Sequence, residues 1–123
     1  MTSNYDLWSE LTDTRKLLNE CIVALKDNGI LYAKSEHEYK IALRKEIYRL
    51  HEDEKVAWTT TMSMAHGDTD NFNVSDKRYR RDLAKTKYDV CLEKINGLKL
   101  EIRILESQLN REWGQAKWNT HHV

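Results

Sequence analysis

Between Ala84 and Leu109 the apolar positions recur at alternating spacings of four and three. Ala84, Tyr88, Cys91, Ile95, Leu98, Ile102, Leu105 and Leu109 hold this register without a break, and Lys, Arg, Glu, Asn and Asp fill most positions between them. A 3.5-residue period keeps one narrow stripe of a helix turned toward a partner helix, so this stretch reads as a coiled-coil seam. A second helical face passes through Leu7, Leu11, Leu18, Cys21 and Leu25, and after Asp27-Asn28-Gly29 it resumes through Tyr32, Tyr39, Leu43, Ile47 and Leu50. Glycine inside a helix costs only about 1 kcal/mol. The pattern therefore predicts one long helix over about 5–51, capped by Thr2, Ser3 or Asn4, with a kink or register shift near Gly29.

The period is lost from 52 to 74, where acids and threonines mix with a few large apolar groups. Within this connection Thr60 to His66 predicts a short helix, with Gly67 as a stop in positive φ. The second long helix starts at Ser75 or Asp76 and spans about 75–113, followed by a frayed tail over 114–123. Two long helices joined by such a connection predict an all-α fold, a long antiparallel helical hairpin resembling a coiled coil, in a single domain over 1–123. With the turn centred near residue 64, facing residues have numbers summing to about 128. Gly29 then lies near Gly97, Lys40 lies near Tyr88, and the two Asn-Gly pairs share one level, as tolerated helix defects or as a waist of close approach. Val90, Leu92, Leu100 and Ile104 form a further apolar flank that two-helix packing leaves bare. Its burial calls for self-association, most economically into a four-helix bundle.

Composition supports the helical class. There is no proline, there are four glycines, and 40% of residues are hydrophobic against 33% charged. All-β domains need far more turn residues. Met1 to Leu11 lacks the charged start and apolar run of a signal peptide, and no run of about 18 apolar residues exists to span a bilayer. A soluble cytoplasmic protein without membrane partners is expected. Cys21 and Cys91 sit on apolar stripes, which predicts free core thiols. The expected register leaves them about sixteen residues out of pairing.

Formal net charge is zero, but the charges are segregated. Residues 40–49 carry Lys40, Arg44, Lys45 and Arg49 against Glu46, and residues 77–87 carry Lys77, Arg78, Arg80, Arg81, Lys85 and Lys87 against Asp82. Glu52, Asp53, Glu54, Asp68, Asp70 and Asp76 dominate the adjoining connection. Either the acidic connection neutralises the basic shoulder, or Lys40, Arg44, Lys77, Arg78, Arg80, Arg81 and Lys85 form a site for phosphate, nucleic acid or an acidic surface. Internal neutralisation is the simplest interpretation; the second reading begins from the dense basic start of the second helix, which opposes the helix dipole. Trp58, Met62, Met64 and Phe72 either plug the end of the hairpin or anchor a protein partner, since aromatic groups and methionine are enriched at binding hot spots. Trp113 and Trp118 admit the same two readings.

No catalytic set is assembled by these motifs. Glu36-His37-Glu38 and His51-Glu52-Asp53-Glu54 lack the spacing that puts two histidines on one helical face, so no metal and no cofactor is expected. His66-Gly67-Asp68 has no nucleophile placed beside it by a known motif, and His121 and His122 fall in the tail.

The run RRDLAKTKYDVCLEKINGLKLEIRILESQLNREW, with the AHGD turn at Ala65 to Asp68 and YKIALRKEIYRL at Tyr39 to Leu50, resembles a group of small uncharacterised proteins from phages and prophages of Gram-positive bacteria. The resemblance covers roughly residues 30–113 and carries no functional residue with it. It implies a protein acting inside an infected cell, where small early phage proteins often bind host factors, defence systems among them. The combined expectation is a non-enzymatic interaction module, an inhibitor or adaptor that binds a host protein and self-associates. The alternative is a nucleic-acid or phosphate binder working through the basic start of the second helix.

Overall fold

The computed structural model describes the backbone of residues 4–121 and the side chains of residues 5–114. Among these residues there are three helices and no strand: α1 (Asn4–Glu52), α2 (Trp58–His66) and α3 (Val74–His121). The long helices pack against each other with the short one between them, a helical hairpin. Helix α1 passes through Gly29 as one element. Helix α3 is assigned through to His121, beyond the end expected at 113, in the stretch read as a frayed tail. Thr2, Ser3, His122 and the side chains of Trp118 and His121 lie outside the described residues. The chain forms two compact units, Met1–Leu25 with Val90–Val123, and Lys26–Asp89.

In the first unit the seam of α3 meets the apolar face of α1. Leu7, Leu11 and Leu105 are buried together, with Ile102 and Leu109 packed on them. Cys21, Ile95 and Leu98 form a second cluster flanked by Leu18, Leu25 and Cys91. Each such leucine gains roughly 1.5–3 kcal/mol from burial, which holds the pair against the entropy of ordering two helices. Thr14 sits buried in the same face because its hydroxyl donates to the Glu10 carbonyl at 2.8 Å and leaves no polar group unpaired. The cysteines are free, yet they are neighbours: Cys91 Sγ donates to the Cys21 carbonyl at 3.4 Å. The expected separation of sixteen residues is thereby corrected. Val90, Leu100 and Ile104 remain exposed, and Leu92 is half-buried.

In the second unit Tyr39, Ala42 and Val74 are buried together, with Leu43 and Phe72 against them. Helix α2 turns Thr61 and Ala65 inward, one turn apart on one face. The Thr61 hydroxyl donates to the Ala57 carbonyl at 2.7 Å. Asp68 is the hinge of the following loop. Its Oδ1 accepts from the backbone N–H groups of Asp70 (3.1 Å) and Asn71 (2.9 Å), and its Oδ2 from those of Phe72 (2.8 Å) and Val74 (3.4 Å). The Asp68 carbonyl accepts the Ser75 N–H at 3.0 Å. The first two amides of α3 are thus capped from six and seven residues away, and the helix starts at Val74 rather than at Ser75 or Asp76. Gly67 does not use positive φ. It sits at −87°, and the reversals fall on Lys55 (φ 56°) and Asn73 (φ 55°). Asparagine tolerates that left-handed conformation well, and lysine less so.

The register differs from the one the turn position predicts. Gly29 faces Tyr88, whose ring atoms stand 3.4 and 3.7 Å from where a Cβ would be, and Tyr39 lies under Arg81. Facing numbers in this unit sum to about 120, a shift of roughly two helical turns from 128. Gly97 has nothing within 4 Å of its Cβ position, and Tyr88 pairs with Gly29 and Tyr32 rather than with Lys40. The cause is the connection. Val56 N–H donates back to the Leu50 carbonyl at 2.9 Å, and Leu50 and Glu46 are buried. The last turns of α1 are covered by the connection, and α3 begins opposite Ala42.

Candidate functional site

Helix α2 presents a tryptophan and two methionines to solvent. Trp58 is 63% exposed, Met62 50% and Met64 51%. With Thr61 and Ala65 inward, 3.6 residues per turn puts Trp58 and Met62 on one flank and Met64 on the other. Phe72 does not join them: it is half-buried against Tyr39, Ala42 and Val74, so of the four residues read as partner-binding it is the plug. Trp58 is exposed but ordered. Its ring stacks on His51 at 3.6 Å with 24° between the planes, and His51 Nδ1–H donates to the Val56 carbonyl at 3.2 Å. An aromatic ring fixed in this way loses little rotamer freedom on binding.

Several of the basic residues are drawn into local pairs. Lys40 pairs with Glu36 (3.6 Å), Arg80 with Asp76 (3.0 Å) and Arg81 with Asp82 (2.8 Å). Arg49 forks onto Glu46, Nε to Oε2 at 3.0 Å and Nη2 to Oε1 at 2.6 Å, and reaches Glu54 at 3.1 Å through Nη1. Asn71 turns its amide oxygen to the same guanidinium, 2.9 Å from Nη2. The two bonds from Arg49 satisfy a Glu46 carboxylate that is only 2% exposed, and the hydrogen bonding to Glu46 raises the Arg49 pKa above its ordinary value. No ion pair is formed by Arg44, Lys77 or Lys85 among the described residues, and Lys77 is half-buried.

One cluster escaped the sequence reading. His66, at the end of α2, lies between Tyr39 of α1 and Arg78 of α3. Arg78 Nη1 donates to His66 Nδ1 at 3.2 Å, and because a guanidinium cannot accept, Nδ1 is bare and Nε2–H donates to the Tyr39 hydroxyl at 3.2 Å. Burial lowers the His66 pKa below 6.5, and the positive charges of Arg78 and Arg81 lower it further. Arg81 stacks over the Tyr39 ring at 4.6 Å. The neutral histidine ties all three helices of this unit together. No signal in the sequence joins positions 39, 66, 78 and 81.

The described residues also form concave surfaces between the long helices. In the first unit, Trp8 and Trp113 flank a cleft of about 610 Å³ over Leu11 and Leu109, with the Arg15–Glu106 ion pair at 2.9 Å in its wall. A groove of about 370 Å³ in the same unit is lined by Asp6, Glu10, Asp13 and Glu101 around Leu17 and Leu98. In the second unit a groove of about 410 Å³ is lined by Lys34, Arg80 and Lys87, with Glu38, around Leu31, Leu83 and Ala84. Spacings of four and three at Asp6, Glu10, Asp13 and Leu17 were visible in the sequence, but only the packing shows which side of α1 is free. Among the described residues no group of three or more His, Cys, Asp or Glu side chains is placed to hold a metal ion, and no helix is long and apolar enough to cross a membrane.

Comparison with protein-family models, with curated proteins and with solved structures returned no match.

Proposed function

We propose that this chain is a non-enzymatic protein-interaction module, an inhibitor or adaptor that engages a host protein through the α2 flank. The observation that carries this reading is Trp58, an exposed indole fixed on His51 beside half-exposed Met62. A large aromatic group ordered in advance, ringed by charge, is the usual makeup of a binding hot spot. The carboxylates of Glu52, Asp53 and Glu54 lie next in sequence to this flank, so the partner surface carries an apolar pocket with a basic rim. The resemblance to small phage proteins supports a partner in the infected cell.

The competing reading, a nucleic-acid or phosphate binder, would use Arg78, Arg80 and Arg81, and each of these is engaged with a neighbour. Capture from host lysate separates the two. Trp58→Ala with Met62→Ala removes the captured protein if the reading holds, and nuclease treatment leaves it in place. Capture that is lost with nuclease and with Arg80→Ala plus Arg81→Ala, but is indifferent to Trp58→Ala, sinks it.

A further inference from the structure

The two charged grooves carry opposite signs, have similar volumes, and share one construction. Each has an apolar floor between α1 and α3, with charged side chains along both walls. The groove of the second unit has Leu31 and Leu83, 45% and 43% exposed, between Lys34, Arg80 and Lys87. Glu38 is the carboxylate in its lining, and Arg80 also pairs with Asp76 outside it. The groove of the first unit shows four carboxylates and no cation in its lining, around Leu17, which is 38% exposed.

We propose that the basic groove of one copy receives the acidic first turns of α1 from a second copy of this chain. The spacing fits. Asp6, Glu10, Asp13 and Leu17 recur at four, three and four residues, the period at which a helix keeps one stripe in the groove between two others. On the receiving side Arg80, Leu83 and Lys87 recur at three and four, as knobs and holes require. Leu17 supplies the apolar contact to Leu31 and Leu83, while Glu10 and Asp13 meet Lys34 and Lys87, neither of which has a carboxylate within ion-pair distance among the described residues. An acidic helix covering two half-exposed leucines removes apolar surface from water and places each charge opposite its complement. This surface involves neither Trp58 nor Met62, so it stands or falls separately from the α2 flank.

Sedimentation equilibrium on the full chain tests the proposal at low and at high salt. The wild type is expected to self-associate, with a Kd that rises at least tenfold between about 50 mM and 500 mM salt as the contacts are screened. Glu10→Lys with Asp13→Lys, and separately Lys34→Glu with Lys87→Glu, each weaken association at least tenfold while circular dichroism shows unchanged helicity. The chain carrying all four changes restores it, because the signs again oppose. A wild type that stays monomeric at every salt concentration overturns the proposal, as does association indifferent to either charge reversal. A folded fourfold variant that fails to recover overturns it equally.

Discussion

The ring of Tyr88 lies over the backbone of Gly29, with Cε2 3.4 Å from the point a Cβ would occupy. That is ordinary van der Waals distance, so a methyl group there gains contact without displacing the tyrosine. Gly29→Ala is expected to stabilise the protein by about 0.5–1 kcal/mol, the helix-interior penalty of glycine relative to alanine. Gly97→Ala, with nothing within 4 Å, gives a similar gain through backbone entropy alone. Urea denaturation of both variants checks this. A loss at position 29 would place the Tyr88 ring closer to the α1 backbone than the structure has it.

The Asp68 carboxylate holds a whole loop, and its removal is expected to cost far more than an average substitution. Asp68→Ala strands four backbone N–H groups, two of them on half-buried Phe72 and buried Val74. Unpaired buried donors cost roughly 1–3 kcal/mol each, and the exposed pair rehydrates, so a loss of about 2–4 kcal/mol is expected in urea unfolding. Asp68 also makes the fold acid-sensitive. Burial pushes its pKa up, but the N–H donations of Asn71, Phe72, Asp70 and Val74 outweigh burial and hold it below 3.8. Stability from this group is complete above the unfolded-state value near 4 and is lost as pH falls through the lower folded value. Acid unfolding of Asp68→Ala should lack that component.

His66 is expected to titrate below 6.5, since burial and then the charges of Arg78 and Arg81 disfavour its cation. The unfolded chain therefore binds more protons between the folded and unfolded values. The contribution to stability is complete above about pH 6.5 and declines as pH falls through the folded midpoint. Proton NMR of the imidazole gives the midpoint directly, and Arg78→Ala should move it upward. A midpoint at or above 6.5 would contradict the Arg78 to Nδ1 hydrogen bond.

The seam from Ala84 to Leu109 was legible because periodicity is a property of one helix and needs no knowledge of its partner. Ala84, Ile95, Leu98 and Leu105 are buried, and Tyr88, Cys91, Ile102 and Leu109 half-buried. Register belongs to two helices and to whatever lies between them. Placing the turn at its midpoint ignored that the connection would fold back over Leu50, and the resulting register put Lys40 beside Tyr88 and set Cys21 apart from Cys91. The role of Asp68 was hidden for a related reason: its reach to Val74 depends on Asn73 taking positive φ, which local spacing does not disclose. The basic residues were visible as a cluster, and Lys40–Glu36 and Arg80–Asp76 stand at i,i+4 spacing on one helix, but which of the possible local pairs form depends on rotamers.

The covering of the last turns of α1 by the connection also orders events in time. The Tyr39–His66 hydrogen bond spans 27 residues of chain, whereas Cys21 and Cys91 are 70 apart and Arg15 and Glu106 are 91 apart. Closing the longest of these loops costs about 1 kcal/mol more than the shortest, so the unit around α2 is expected to fold first. Pulse-labelling hydrogen exchange should find amides of residues 39–50 and 61–78 protected before those of residues 7–21, and the reverse order would refute it. During synthesis the consequence is sharper. Leu7 and Leu11 come far ahead of their partner Leu105 along the chain, so the first leucine stripe leaves the ribosome long before anything exists to cover it. A growing chain thus carries an uncovered apolar helix until the segment around Leu105 has been made, and that interval is when it is most open to chaperones and to aggregation.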